Sequence, residues 1–382
     1  MSAFRARSAR VSRPALVIGL SLIVVLTGCE GGGTGEPVAP MPSATVSSAV
    51  PTTQPASGTT PAPTTTSQLP YDLHPNLAYA APMPAGSTGH LLDLYVPADG
   101  PGPFPVVIWQ GGSAWYSNQT KDGVDPPRLA IELTPFGYAV AAVNTRNTVD
   151  QTDGGDDAHW PDQLYDIKAA IRYLRSEAAM YHLDKQHFGI IGDSSGGWTA
   201  AMAGVTGGVQ SLEGTIGVTG ESSRVQAVVD LYGPTDFLEM DTHACRPSRG
   251  CTSSITHDAA HSPESDLVGC PIQTCKAKVE RANPVNYVTQ DDPPFLIMHG
   301  EDDDMVPHYE SVLLFEALRA ACVDVRFISL PNHRHEHRYL DDPNDSEPRS
   351  VQTVQGCNPP SSSHAPAATY DTIRLFFDAW LR

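Results

Sequence analysis

Basic residues are scarce in this sequence of 382 residues. Lysine and arginine together number 24, against 43 aspartate and glutamate residues, so the formal net charge is −19 at pH 7. A protein of this charge is repelled by the phosphate backbone of nucleic acids and by the anionic surface of membranes. We therefore expect neither nucleic acid nor anionic lipid as a partner.

Apolar runs long enough to cross a membrane are also lacking. The run at residues 15–26 is too short for a comfortable span. A segment with four arginines precedes this run. At its end the chain reads Leu26-Thr27-Gly28-Cys29, which resembles a bacterial lipobox. We predict a lipoprotein signal peptide at 1–28 and a lipid on Cys29 that anchors the exported protein to the outer face of the cell membrane. The alternative is a plain secreted protein.

Apolar periodicity is absent from residues 29–70, which are rich in Pro, Ser, Thr and Ala. Such a segment cannot bury enough surface to fold, so we predict a disordered, extended tether that begins with the lipidated cysteine. The remaining residues, 71–382, are sufficient for one large α/β domain with a sizeable insertion.

Cysteines number only seven, and one of them is assigned to the lipid. The other six, in an exported domain, suggest three disulfides among fifteen possible pairings. The short spacings favour Cys245–Cys251 and Cys270–Cys275, which leaves Cys322–Cys357. A zinc site at Cys270 and Cys275 is the alternative, but no second pair of ligands has a metal-binding spacing, so we predict no bound metal.

Strand-like and helix-like segments alternate from about residue 90. Continuous apolar strands that alternate with helices are typical of the α/β class, a mostly parallel sheet covered by helices on both faces. Residues 233–290 interrupt this rhythm, carry four cysteines, and are predicted to form a cap or lid over the site. The expected strands are 91–96, 104–109, 138–143, 187–191, 225–232, 294–298 and 323–330, and the clearest expected helices are 161–175, 309–321 and 367–381.

A G-x-S-x-G motif, Gly192-Asp193-Ser194-Ser195-Gly196, joins the strand at 187–191 to a helix-competent run. A serine becomes a nucleophile when a sharp strand-to-helix turn holds it beside a base, and glycine is favoured on both sides of that turn. Ser194 is therefore the candidate nucleophile. The alternative is an ordinary turn in which Ser194 caps the helix.

Candidates for an acid and for a base follow later in the chain, each just past a predicted strand. His-Gly-Glu-Asp-Asp-Asp-Met-Val-Pro occupies 299–307, and Pro-Asn-His-Arg-His-Glu-His occupies 331–337. An activated serine needs both groups, and loops at neighbouring strand ends would bring them together. The alternatives are a solvated acidic turn and a metal cluster formed by the three histidines.

These motifs resemble those of the feruloyl/acetyl-xylan esterase-like (BD-FAE-like) α/β-hydrolases, and the serine motif is similar to that of the hormone-sensitive-lipase-like esterases. The resemblance covers about residues 85–380 with every motif in order. It implies that the catalytic acid is Asp303 and the base His335, with His333 as the fallback. It also implies that the oxyanion loop is 110–113, so that the backbone N–H groups of Gly112, Ser113 and Ser195 would bind an oxyanion.

The resemblance further implies an α/β-hydrolase fold and a serine hydrolase that cleaves a small-molecule ester through an acyl-enzyme. No cofactor is then expected, and the sequence predicts no particular oligomeric state. Two other functions stay open at this point. One is a peptidase or amidase that uses the same three residues, and the other is a binding lipoprotein on an inactive hydrolase scaffold.

Overall fold

The computed structural model describes residues 69–244, 255–342, 346 and 348–382. The predicted signal peptide, the lipid site at Cys29, nearly all of the tether and the Cys245–Cys251 pair lie outside these residues. The first strand of the described residues begins at Tyr71. No helix in the described part of the chain is both long and apolar enough to span a membrane.

One sheet of ten strands runs through the described residues. The strands are β1 (Tyr71–Ala78), β2 (Leu91–Pro97), β3 (Phe104–Gln110), β4 (Ala139–Val143), β5 (Leu183–Asp193), β6 (Ala227–Leu231), β7 (Phe295–Gly300), β8 (Val325–Leu330), β9 (Ser350–Val354) and β10 (Ser361–Ser363). Their order is β1-β2-β4-β3-β5-β6-β7-β8-β9-β10. The pairs from β4 through to β8 are parallel, whereas both edges are antiparallel.

Helices cover both faces of the sheet. They are α1 (Asp125–Leu133), α2 (Asp162–Ser176), α3 (Ser195–Val205), α4 (Met240–His243), α5 (Pro263–Val268), α6 (Lys276–Val279), α7 (Tyr309–Ala320) and α8 (Tyr370–Leu381). Successive side chains of β3 point to opposite faces. Val106 and Ile108 belong to the core on the face that α2, α3 and α7 cover, whereas Val107 and Trp109 belong to the core on the face that α1 and α8 cover.

This arrangement confirms the predicted α/β class with a mostly parallel sheet. The strands in the middle of the sheet were expected because their buried residues form continuous apolar runs. The edge strands β1, β9 and β10 were not expected. They are largely or partly exposed, so their sequences lack the apolar pattern that indicates a strand.

The predicted cap connects β6 to β7 and contains the short helices α4, α5 and α6. Two contacts tie it to the helices beneath it. The Trp198 Nε1–H of α3 donates to the Ala282 carbonyl at 2.7 Å. The Thr235 N–H donates to Oε2 of Glu310 in α7, also at 2.7 Å. The cap is therefore held at its start and near its end by buried hydrogen bonds.

Two of the expected disulfides lie within the described residues. Cys270 is bonded to Cys275 inside the cap, and Cys322 is bonded to Cys357. The second bond joins the chain just past α7 to the segment between β9 and β10, so it secures one edge of the sheet.

Candidate active site

Ser194 occupies a sharp turn between β5 and α3. Its backbone has φ 53° and ψ −125°, a conformation that costs energy for a residue with a side chain. Two glycines make the turn possible. A Cβ at Gly192 would overlap the Gly196 carbonyl, and a Cβ at Gly196 would overlap the Gln110 carbonyl. The motif therefore requires both glycines for steric reasons, and the turn holds the serine at the carboxyl end of the sheet.

His335 lies between Ser194 and Asp303. Its Nε2 atom is 3.0 Å from Ser194 Oγ, and its Nδ1 atom is 2.8 Å from Asp303 Oδ2. Asp303 follows β7 and His335 follows β8, so parallel pairing of these strands brings the two loops to the same edge. His333, the fallback for the base, lies against Tyr339. The predicted nucleophile, base and acid thus form one hydrogen-bonded chain.

The Asp303 carboxylate is surrounded by donors. Its Oδ1 accepts the N–H groups of Met305 at 2.8 Å and Val306 at 2.9 Å, while Oδ2 accepts from His335 and from His299. Burial alone would raise the pKa of Asp303, but the hydrogen bonds from the two histidines outweigh it and hold this pKa well below its ordinary value. The acid is therefore ionised throughout the neutral range.

His299, fully buried at the end of β7, was not predicted as a site residue. Its Nε2 faces two acceptors, Asp303 Oδ2 at 3.2 Å and the Val306 carbonyl at 3.1 Å, so this nitrogen carries a proton. Its Nδ1 lies 2.8 Å from Ser311 Oγ. The available signal was the His-Gly pair that opens the acidic loop.

The three backbone N–H groups predicted to bind an oxyanion differ in their partners. Ser195 is the first residue of α3, so its N–H has no acceptor within the helix. The Ser113 N–H donates to Ser195 Oγ at 2.9 Å. The Gly112 N–H donates to Asp193 Oδ1 at 2.7 Å, which departs from the prediction because a carboxylate already takes this amide.

Asp193 and Tyr232 are two further residues that the prediction did not include in the site. Tyr232 Oη lies 3.5 Å from Asp193 Oδ2 and 2.6 Å from His337 Nδ1. The Tyr232 ring packs edge-on against His335, with the centroids 4.8 Å apart. Asp193 could have been found from its place beside the nucleophile, whereas Tyr232 carried no signal in the sequence.

His335 lines a smaller and a larger cavity among the described residues. The smaller, about 30 Å³, also adjoins Ser194 and Ser195, and its mostly apolar lining includes Trp115 and Ile255. The larger, about 650 Å³, lies beside Asp193 and the start of α1. Ile255 belongs to the predicted cap, so this segment forms part of the wall around the serine.

The three alternating histidines have different partners. His335 contacts Asp303, His337 Nε2 is 3.0 Å from Asp125 Oδ1, and His333 lies against Tyr339. Within 69–244, 255–342, 346 and 348–382, no three His, Cys, Asp or Glu side chains are arranged to hold a metal ion. The metal cluster considered for these histidines is therefore not formed by the described side chains.

Solved structures share this architecture. A truncated form of a carbohydrate esterase from gut microbiota is 33% identical, with a TM-score of 0.60, and the match covers 70% of this chain and 90% of that chain. A bifunctional GH43-CE protein of Bacteroides eggerthii is 36% identical, with a TM-score of 0.58, over 69% of this chain and 35% of that chain. The architecture is the α/β-hydrolase fold.

Related sequences agree with these structures. Esterase LipQ of Mycobacterium tuberculosis is 30% identical over 275 residues, which make up 70% of this chain and 60% of LipQ. The chain spans about half to three fifths of the length of the curated relatives that it matches. The model of the BD-FAE family matches residues 92–318, which is more than half of the chain, and the protein therefore belongs to the BD-FAE family.

Proposed function

We propose that the protein is a serine carboxylesterase that uses Ser194, His335 and Asp303. The observation that carries this proposal is the hydrogen-bonded chain from Ser194 Oγ through both ring nitrogens of His335 to the Asp303 carboxylate. A serine hydroxyl in such a chain can lose its proton as it attacks a carbonyl. Relatives named as esterases support the same class of reaction.

The reaction proceeds in two halves. Ser194 Oγ attacks the ester carbonyl carbon while its proton moves to His335 Nε2, and Asp303 stabilises the imidazolium that results. The bond to the alcohol oxygen then breaks, and His335 returns its proton to that oxygen. In the second half, water gives a proton to His335 and attacks the acyl carbon. The bond from that carbon to Ser194 Oγ then breaks, and His335 passes its proton to Oγ, which releases the acid and restores the hydroxyl.

The developing oxyanion would be bound by the N–H groups of Ser195 and Ser113. The loss of one such donor costs roughly 3–4 kcal/mol of transition-state stabilisation. The Ser113 N–H would turn from Ser195 Oγ towards the oxyanion. The Gly112 N–H is taken by Asp193, so we give it the different role of fixing the oxyanion loop to the turn that carries the nucleophile.

The smaller cavity suits the acyl part of the ester. It adjoins Ser194 and Ser195, beside which the acyl carbonyl would lie. Trp115, Ile255 and Val306 make much of its wall apolar, which suits an uncharged acyl chain. We therefore place the acyl group of the ester on this side. A carbohydrate as the alcohol is supported by the name of the solved carbohydrate esterase.

The function is tested by the hydrolysis of 4-nitrophenyl acetate and by labelling with a fluorophosphonate probe. The wild-type protein should do both, and Ser194→Ala should do neither while its far-UV circular dichroism is unchanged. Ser176→Ala, a change on the exposed surface of α2, is the matched control. Activity that survives in Ser194→Ala would overturn the assignment of the nucleophile.

The wild-type protein and the same assays also distinguish the proposed esterase from the other two functions. A panel of matched esters and amides distinguishes a carboxylesterase from a peptidase or amidase, because the latter would hydrolyse both. A binding protein on an inactive scaffold would neither react with the probe nor hydrolyse the acetate. Either result would replace the proposed function with one of the alternatives.

We also propose that the protein is exported and anchored by a lipid on Cys29. The support comes from the sequence alone, namely the arginine-rich segment, the short apolar run and Leu26-Thr27-Gly28-Cys29. The full chain, expressed in a bacterium with radiolabelled palmitate, should carry label in the membrane fraction, and Cys29→Ala should not. An unlabelled wild-type chain would contradict the proposal.

A further inference from the structure

Asp193, the residue before the nucleophile, places a carboxylate against the oxyanion loop 110–113. Its Oδ1 accepts the Gly112 N–H at 2.7 Å, and its Oδ2 lies 3.5 Å from the Tyr232 hydroxyl. Burial raises the pKa of Asp193, whereas the charge of His337 and the bond from Gly112 lower it. How firmly this carboxylate stays ionised therefore depends on the charge of His337.

The oxyanion loop packs tightly on the turn that carries the nucleophile. A Cβ at Gly112 would lie only 2.6 Å from the Asp193 carbonyl oxygen. Just past the loop, Ala114 and Trp115 have φ values of 52° and 62°, which are strained for residues with side chains. Strained backbone persists only where neighbouring contacts hold it. The bond from Gly112 to the Asp193 carboxylate is such a contact, and it is stronger when the carboxylate is charged.

His337, the third histidine of the loop after β8, lies on the other side of the Tyr232 hydroxyl. Its Nε2 is 3.0 Å from Asp125 Oδ1, and its Nδ1 is 2.6 Å from Tyr232 Oη. Burial opposes the charged form of this histidine. The bond to Asp125 and the charges of Asp193 and Asp125 outweigh burial and raise the pKa of His337 above its ordinary 6.5. The imidazolium is therefore favoured more strongly than in an exposed histidine.

The other charged groups around His337 are paired with one another. Arg128 of α1 lies 3.0 Å from Asp341, and Arg338 lies 3.6 Å from Glu336. The remaining titratable side chains on this wall are His335, Tyr232 and Tyr370. The two carboxylates described above are therefore the main partners of the imidazolium.

The charge of His337 decides the direction of its hydrogen bond with Tyr232. An imidazolium donates from both nitrogens, so its Nδ1–H donates to Tyr232 Oη and the hydroxyl can donate to Asp193 Oδ2. A neutral His337 keeps its single proton on Nε2, which faces Asp125, and its Nδ1 then accepts from the Tyr232 hydroxyl. Loss of the charge thus takes from Asp193 both a nearby cation and a donor.

We propose that His337 acts through Tyr232 to keep the Asp193 carboxylate charged, and that this charge holds the oxyanion loop in place. His337, Tyr232 and Asp125 are then positioning residues, because they act on the oxyanion through Asp193 and Gly112. The inference rests on the proposed esterase function, to which it adds the residues that support the oxyanion loop.

The first test follows kcat for 4-nitrophenyl acetate against pH with the full-length protein. In the wild type, kcat should rise as the base His335 loses its proton and fall again as His337 loses its own. His337→Gln has no such proton, so the fall at higher pH should be absent. Near neutral pH its kcat should be about tenfold lower, which is less than the roughly 100-fold that the loss of an oxyanion donor costs. KM should change little.

Asp125→Asn gives an independent measurement, which also decides the question if His337→Gln does not fold. It removes a carboxylate that favours the imidazolium, so the fall in kcat should move to lower pH. His187→Gln is the matched control and should keep the wild-type profile. His187 is likewise bonded to an aspartate, Asp184, at 2.8 Å, but it lies near the start of β5.

The second test asks whether His337 acts through Asp193. In Asp193→Asn the carboxylate is already lost, so the addition of His337→Gln should lower kcat by less than about twofold more. Equal losses from His337→Gln in both backgrounds overturn the proposal, as does a fall in kcat at high pH that persists in His337→Gln or does not move in Asp125→Asn. A wild-type protein that hydrolyses no ester would instead overturn the proposed function.

Discussion

His299 and His335 approach the same oxygen atom, Asp303 Oδ2, at 3.2 and 2.8 Å. The carboxylate therefore holds the base from one side while a second, buried histidine holds the carboxylate from the other. His299 in turn contacts Ser311 of α7, so the position of the acid is tied to the helix that follows it. We regard His299 as a positioning residue.

Replacement of His299 should slow catalysis without weakening substrate binding. His299→Phe removes one hydrogen bond to a charged group, worth roughly 1.5–3 kcal/mol, which corresponds to a fall in kcat of about 10- to 100-fold. KM for 4-nitrophenyl acetate should change little. His299→Gln keeps a donor that can reach Asp303, so its kcat should lie between those of the wild type and His299→Phe. Equal losses of kcat in the two variants would contradict the positioning role.

Asp303→Asn should be more damaging, because it removes the charge that stabilises the His335 imidazolium and that selects its tautomer. In a triad of this geometry the loss in kcat is about 10⁴-fold. Steady-state kinetics would measure it, with circular dichroism as the check on folding. The double variant with Ser194→Ala should be no worse than Ser194→Ala alone, since residues that act as a unit are not additive.

The buried carboxyl group of Glu310 should make the stability of the protein depend on pH. Burial raises the pKa of Glu310 from its ordinary 4.5 to about 8, although N–H bonds from Asp236 and Thr235 oppose the shift. The folded protein therefore holds this proton more tightly than the unfolded chain. The stability that the proton brings is fully present below pH 4.5 and is lost as the pH rises through 8.

Glu310→Gln carries no proton to lose, so its melting temperature should exceed that of the wild type at pH 8.5, and the gap should narrow at pH 5. Glu316→Gln, on the exposed side of the same helix, is the control. Thermal melts at the two pH values measure the effect. A gap of the same size at both values would show that Glu310 is not protonated in the folded state.

The two disulfides should differ in what they contribute to stability. Cys322–Cys357 spans 35 residues and Cys270–Cys275 spans 5. Loop-closure entropy then gives about 4 kcal/mol for the first bond and about 2 kcal/mol for the second. Urea unfolding of the two alanine double variants compares them, and a larger loss for the Cys270–Cys275 variant would be evidence against this account.

The local sequence pattern was sufficient to predict a strand where both faces of that strand are buried. Residues 104–109 and 138–143 are apolar throughout, and they form the buried strands β3 and β4. Exposed strands lack this run of apolar residues, so the sequence did not indicate them. β10 consists of three exposed serines, and it becomes a strand only because it pairs with β9. Its pairing is a property of the folded sheet and not of its own residues.

The sequence by itself determined the order of the buried strands, the glycine-flanked turn at Ser194, and the presence of an acid and a histidine past later strands. These features depend on local sterics and periodicity, which a short stretch of chain expresses alone. Only the tertiary structure decided that His335 contacts Ser194, that Asp193 takes the Gly112 amide, and that Tyr232 joins His337 to the site. Such contacts depend on how closely separate loops approach at the end of the sheet, and the packing of the whole domain sets that distance.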